Sequence, residues 1–440
     1  MSLMIPSQAR LQTWVTREWS SLPIGQQGVS DEQAERFQTA AEKAATTLRL
    51  PQGSVLSRVG NTLKAGQVCG VLALSGQAIE ILPKIEGLTE GRSRHTLVRM
   101  LSATHDLRIS DGDLAQFDTQ KHDILELLIR VFVRRLRKAV RGGLQRQYQN
   151  HEDDLPFVRG NLEVVRQLTK RPVAPTKLFC RFDDLSENTA LNRLIKATLE
   201  MLVRVSRLQE TQRELLQLLD TFGKVGSSIS PLEERIQFDR TTTVFGDLIP
   251  LARLLLSGNW QSTKRGASSG VSLLFPMNNL FERYVATRAQ KTFGIDIVKT
   301  QNARHHVLQN NLFRMMPDIV FDYKSGPVII DTKWKELDPL DRRKLGVAQS
   351  DVYQMLAYGH GYSKHGAKPR LILLYPHHAS LGGPEGILRK WVTSGSEMDL
   401  LICTVDLSER KSPQDWKQLL GNVTGTVHPS VHQLTTTFHS

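Results

Sequence analysis

Met316-Pro317-Asp318-Ile319-Val320-Phe321-Asp322-Tyr323 and Val328-Ile329-Ile330-Asp331-Thr332-Lys333-Trp334-Lys335 are two short apolar runs, each carrying charge where a buried strand should carry none. Lys324-Ser325-Gly326 between them is turn chemistry, so the pair reads as an antiparallel hairpin. With the turn centred between Lys324 and Ser325, residues whose numbers sum to 649 face each other, which sets Asp318 opposite Asp331. Alternation along the second strand then puts Asp331 and Lys333 on one face, with Thr332 pointing the other way.

Two facing carboxylates repel unless a cation lies between them, and hard oxygen ligands suit Mg²⁺, with Mn²⁺ able to substitute. A neighbouring ammonium can orient a metal-activated water or offset charge on a scissile phosphate, so the expected chemistry is metal-assisted phosphodiester hydrolysis. Glu409-Arg410-Lys411 and Asp415-Trp416-Lys417 repeat the acid-x-Lys spacing, but neither ends an apolar strand or has a Pro-Asp upstream. Glu282 is expected on a preceding helix, sharing a face with Val285, Ala286 and Ala289, from which it could reach the metal. Gln354 and Tyr358, spaced i, i+4 on a following helix, could hold a DNA phosphate or the lysine.

The 440 residues are 40% hydrophobic and carry a formal charge of +13, which points first to a nucleic-acid partner. From Arg134 to Arg181, 12 lysines and arginines stand against 4 acids, a net of +8. Cys69, Cys180 and Cys403 are scattered, which excludes a disulfide framework and a Cys-based metal cluster. No apolar run is long enough for a membrane span and no secretory pattern opens the chain, so the expected address is the cytoplasm. The adjacent pairs His305-His306 and His377-His378 read as surface or core residues. No G-x-x-x-x-G-K-[ST] occurs, so any nucleotide-driven step belongs to another polypeptide.

The pattern predicts an α/β multidomain chain. Residues 1–100 form a small β-rich N-terminal domain with a helical extension near 30–48, whose last strand at 78–85 is stopped by Pro83. Residues 101–257 form a helical domain with an irregular basic insertion at 145–177, broken by Pro172 and Pro175, and one helical stretch from Asn188 to Leu219. Residues 258–440 open on a loop-like stretch and continue as a mixed sheet flanked by helices. There, a helix from Met277 to Phe293 starts on Asn278 or Asn279 as N-cap, and 408–440 is polar and loosely held.

Pro317-Asp318, Asp331-Thr332-Lys333 and Gln354-x-x-x-Tyr358 resemble the PD-(D/E)XK nucleases, in the branch that keeps a Q-x-x-x-Y helix. Four further stretches are similar to the McrC family, the nuclease subunits of McrBC modification-dependent restriction systems. They are Ile79 to Ile85 (IEILPKI), Asp184 to Arg193 (DLSENTALNR), Met277 to Tyr284 (MNNLFERY) and Asp351 to Tyr358 (DVYQMLAY). The resemblance implies that residues 258–440 are a PD-(D/E)XK nuclease domain whose metal is held by Asp318, Asp331, Glu282 and the Thr332 backbone carbonyl. It also implies a chain that binds the central channel of a hexameric AAA+ GTPase (McrB-like), stimulates hydrolysis of GTP bound by that partner, and cuts modified double-stranded DNA. The basic 134–181 segment would contact the motor or the DNA. Two competitors remain at this stage: a recombination-type exonuclease of the same superfamily, and a non-catalytic subunit that binds DNA or regulates a motor.

Overall fold

Ser30 accepts the N–H of Gln33 while the Gln33 side chain returns to Ser30, a capping box that starts the helix Asp31–Thr47. Its alanines and Phe37 pack with Leu63, Leu72, Ile79 and Ile81 into an N-terminal core. The computed structural model describes residues 12–425 except 27, 75–76, 116–121, 171–175, 262–269, 302–304, 309, 311, 324–325 and 364–367. Leu11, Pro172, Pro175 and the Lys324-Ser325 turn therefore lie outside the described residues.

The described chain divides into two compact units: Gln12–Ile124 together with the segment from Ser272 onward, and Leu125–Val271. This differs from three consecutive domains, because the N-terminal strands and the C-terminal sheet belong to one body. Four adjacent strands of a five-stranded sheet run in the order Gln12–Arg17, Gln77–Leu82, Val68–Leu74, Gly270–Pro276. The approach of Val68–Leu74 to Gly270–Pro276 is close enough to require glycine: Gly70 has φ +132°, and a Cβ there would lie 1.9 Å from the Leu273 carbonyl oxygen.

The second sheet of that unit has six strands, in the order Val298–Thr300, Ile319–Phe321, Val328–Thr332, Arg370–Pro376, Asp399–Val405, Gly386–Val392. The first three are antiparallel neighbours, the next two pairings are parallel, and the last is antiparallel. Val320, Ile329, Leu371 and Leu373 share a core with Met355 and Tyr358 of the helix Gln349–Tyr362. Phe321 meets Phe293 of the helix Met277–Phe293 at 5.4 Å between ring centroids, so that helix covers the opposite face.

Several expectations need correction here. Pro276, not Asn278 or Asn279, caps the helix Met277–Phe293, and Asn278 instead pairs its amide with Gln67. The run Met316 to Tyr323 is strand only over Ile319–Phe321, and Leu312–Arg314 before it pairs with His306–Leu308. The edge strand Gly386–Val392 went unpredicted. Within 408–440, Pro413–Thr424 is a helix with a Ser412/Asp415 capping box and a buried Trp416, while 426–440 lies outside the described residues. The decoy Asp415-Trp416-Lys417 is thus a helix start.

In the unit Leu125–Val271, Leu127, Leu128, Val131, Leu194 and Leu202 are buried on helices, as helical spacing requires. The stretch 188–219 is two helices, Ala190–Val205 and Gln209–Thr221, broken at Ser206. The 145–177 segment is not irregular. Gln147–Leu155 pairs with Leu178–Ser186 over nine residues, from Gln147 against Ser186 to Leu155 against Leu178, forming a β arm with a short helix at Val164–Lys170.

Among the described residues no helix is long and apolar enough to cross a membrane. All three cysteines are free and buried.

One carboxylate of the first unit makes the fold pH-dependent. Glu18, 1% exposed, accepts the Trp334 indole N–H at 2.9 Å and the Lys84 N–H at 3.2 Å, and burial raises its pKa from 4.5 to about 7. A carboxyl that binds its proton more tightly when folded gives stability that is full below 4.5 and is lost as pH rises to about 7. Denaturant titrations of wild type and Glu18→Gln between pH 5 and 8 should therefore diverge in the variant's favour as pH rises, by roughly 2–3 kcal/mol. A pH-independent difference contradicts the burial argument.

Candidate active site

The register of the second sheet pairs Ile319 with Ile330, Val320 with Ile329 and Phe321 with Val328, the same frame that the sequence predicts. One residue before the paired frame, Asp318 lies off the end of the ladder, close enough to Asp331 for its charge to raise that residue's pKa. Asp331 is 2% exposed. Lys333 Nζ lies 2.6 Å from Asp331 Oδ2 and 3.5 Å from Asp351 Oδ1. The contact to Oδ2 is an ion pair without hydrogen-bond alignment, so this buried oxygen has no well-directed donor.

Gln354 and Tyr358 engage the lysine. Lys333 Nζ donates to Gln354 Oε1 at 3.0 Å, Gln354 Nε2 donates to the Tyr358 hydroxyl at 2.8 Å, and that hydroxyl donates to the Met316 carbonyl at 3.2 Å. The relay closes on the Met-Pro-Asp stretch that carries Asp318, so the helix Gln349–Tyr362 ties the two strands' charged ends together.

Thr332 departs from simple alternation. Its N–H and its hydroxyl both donate to Asp318 Oδ2 at 2.7 Å, because Asp318 precedes its strand and turns towards the ladder's end. Glu282 accepts from Gln301 Nε2 at 3.1 Å, and Gln301, with φ +43°, also donates its backbone N–H to the Asp318 carbonyl at 2.9 Å. Glu282 comes from the helix on the opposite face, and it reaches the pair as a neighbouring charge. Among the described residues no three His, Cys, Asp or Glu side chains are gathered as a ready metal cage.

Burial first, and then the Glu282 charge, raises Asp318 to about 6; burial and then Asp318 raise Asp331 to about 6. Burial alone would lower Lys333, but Asp331, Asp351 and Asp318 outweigh it and hold the ammonium above its ordinary value. A carboxylate pair at raised pKa, offset at Asp331 by one ammonium at 2.6 Å, is a donor set that a divalent cation would stabilise. Asp318 and Asp331 fit that role.

Two participants escaped the sequence reading. Asp351, 6% exposed, takes Lys335 Nζ at 3.0 Å as well as facing Lys333, so it holds two lysines on one strand end. Its place one turn before Gln354 on the same helix is the signal that could have found it. Gln301 sits in a positive-φ turn that no spacing pattern marks.

The pattern of the McrBC 5-methylcytosine restriction system component family matches residues 63–376, most of the chain. The chain belongs to this family. The Escherichia coli (strain K12) type IV methyl-directed restriction enzyme EcoKMcrBC is 22% identical over 306 residues, 66% of this chain and 85% of that protein. A chain of the refined half-complex of Thermococcus gammatolerans McrB AAA+ hexamers with bound McrC superposes with a TM-score of 0.70 at 18% identity, covering 93% of this chain and 100% of that one. A chain of the cryo-EM structure of the T. gammatolerans McrBC complex gives a TM-score of 0.51 at 23% identity, over 62% of this chain and 86% of that one. The fold is therefore shared with McrBC assemblies, and the mixed α/β expectation holds at that level.

Because burial raises both carboxyls of the pair to about 6, a divalent cation such as Mg²⁺ should release protons if this pair takes it up at pH 6. Calorimetry in two buffers of different ionisation enthalpy measures this release. The account requires affinity to rise from pH 5 to 7 and the release to shrink in Asp331→Asn; binding that is independent of pH contradicts it.

Proposed function

We propose that this chain is the nuclease subunit of a methylcytosine-dependent, GTP-driven restriction complex, and that Asp318, Asp331 and Lys333 form a PD-(D/E)XK centre cutting DNA phosphodiester bonds with Mg²⁺. The observation that carries the reading is the relay from Met316 through Tyr358 and Gln354 to Lys333, which aims an ammonium at a buried carboxylate pair. Such an arrangement has little structural value: two carboxylates raised by burial are a cost to the fold, and they are retained where a cation and a phosphate are to be received.

Mg²⁺, when bound, would activate the attacking water and offset charge on the phosphate. Asp318 and Asp331 would hold it, with the Thr332 carbonyl at the same strand end as a further oxygen. Thr332's N–H and hydroxyl keep one Asp318 oxygen oriented, leaving the other for the metal. Lys333, steered by Gln354, stays protonated at neutral pH and is poised to orient the water or the phosphate. Glu282 adds negative charge near the pair.

The partner would be an AAA+ McrB-like hexamer that binds GTP, and the β arm is the element we assign to it. Three of its described arginines are engaged within the arm: Arg159 with Asp184, Arg166 with Glu152, and Arg181 with Glu152 and Glu163. Meanwhile Tyr148 is 75% exposed, Val165 80%, Leu168 61% and Phe157 59%. Arginines already paired with carboxylates and apolar side chains facing water favour a protein surface over DNA phosphates for this arm.

Asp331→Ala should abolish Mg²⁺-dependent cleavage of methylated DNA while the GTPase stimulation of the cognate partner stays at the wild-type level; full cleavage by that variant would sink the site assignment. A second expectation concerns the arm. Phe157→Asp with Val165→Asp should weaken partner binding and GTPase stimulation at least tenfold, which titration of the GTPase rate reads directly. Unchanged stimulation, together with weakened DNA binding, would move the arm to the DNA side.

A further inference from the structure

Trp334 follows Lys333 directly and is fixed from three sides. Its indole N–H donates to both oxygens of Glu18, at 2.9 and 3.2 Å. Its carbonyl accepts from Gln67 Nε2 at 3.1 Å, and Gln67 is paired with Asn278 at the start of the helix Met277–Phe293. The indole ring packs on Phe281 of the same helix at 5.3 Å, one residue before Glu282. Lys333 itself is held by its N–H to the Leu374 carbonyl at 2.9 Å, by its carbonyl, which accepts the Lys335 N–H at 3.0 Å, and by its ammonium contacts.

We propose, on the reading of this centre as a nuclease, that Glu18 is a positioning residue for Lys333: it locks the Trp334 indole and so fixes the strand end from which the lysine meets Asp331. A carboxylate is the strongest acceptor an indole N–H can be given, and here it is used over 300 positions away in sequence. The groups facing Glu18 are the Cys69 thiol, the Lys84 N–H and the Glu336 carboxylate, none of which is a cation that would offset its burial. A buried, uncompensated carboxylate costs the fold, whereas an amide or an apolar side chain of the same volume would not. Retaining it is accounted for if the group does something other than stabilise. Lys333 needs to sit within a fraction of an ångström of its place, since a misplacement of about 1 Å can cost ~100-fold in rate.

The test is a double-mutant cycle on the full chain with its cognate GTPase and methylated DNA, using Glu18→Gln, Trp334→Phe and the double variant. Each single variant should lower kcat for cleavage about 10- to 100-fold and raise the Mg²⁺ concentration for half-maximal rate, while KM for DNA holds and thermal stability at pH 8 does not fall for Glu18→Gln. The double variant should be no slower than the slower single one, because both remove one interaction. Losses that multiply, or a folded Glu18→Gln that cuts at the wild-type rate, overturn the proposal. Should Glu18→Gln fail to fold, Trp334→Phe and Gln67→Ala release the same residue from other sides, and wild-type cleavage by both overturns it equally. Asp331→Asn separates the two levels: if cleavage survives that change the nuclease reading itself fails, and if cleavage is lost there while Glu18→Gln cuts normally only the positioning role falls.

Discussion

An antiparallel register of three residue pairs, Ile319–Ile330, Val320–Ile329 and Phe321–Val328, sets everything else at this centre. A slip of one residue would turn every side chain of one strand to the other face and carry Asp331 away from Asp318. The register is held because both strands are buried, with apolar residues on either side matched to a different helix: Val320 and Ile329 to Gln349–Tyr362, Phe321 to Met277–Phe293. Burial that fixes the ladder also raises the two carboxylates at its end. Stability of the sheet and reactivity of the pair therefore have one cause, and Lys333 is the group that keeps the arrangement tolerable.

Around that ladder the side chains divide the work. Gln354 and Tyr358 steer the ammonium, Thr332 orients one oxygen of Asp318, and Asp351 gathers Lys333 and Lys335. The N-terminal strands add Glu18 and Gln67, which hold Trp334 by its indole and its carbonyl. Those strands are thus part of the body that carries the site, and this is why the chain parts at 124/125 and 271/272 and not into three successive segments.

Where the sequence was legible, one local rule applied without competition. Turn chemistry and a period of two gave the facing aspartates, and i, i+4 spacing put Gln354 and Tyr358 together. Thr332 was misread because alternation fails at a strand's last residue, where Asp318 is already off the ladder and turns in. The arm's first strand, Gln147–Leu155, and the edge strand Gly386–Val392 were missed for a common reason: each is largely exposed, so neither shows the apolar alternation that marks a half-buried strand. Glu18, next to the exposed Trp19, looks like any surface acid until its partner over 300 residues away is known. The helix Pro413–Thr424 was readable: Ser412, Pro413 and Asp415 are a start signal that the polar character of the tail obscured.

Metal location is the most direct test of the central claim that the buried pair is a cation site served by Lys333. Crystals grown with Mn²⁺ and measured for anomalous scattering should show one strong peak between the Asp318 and Asp331 carboxylates, with Lys333 Nζ withdrawn from Asp331 Oδ2 and still bonded to Gln354. A protein that is saturated with Mn²⁺ in solution but has its peak elsewhere, or none at all with the Lys333–Asp331 ion pair intact, would contradict the account.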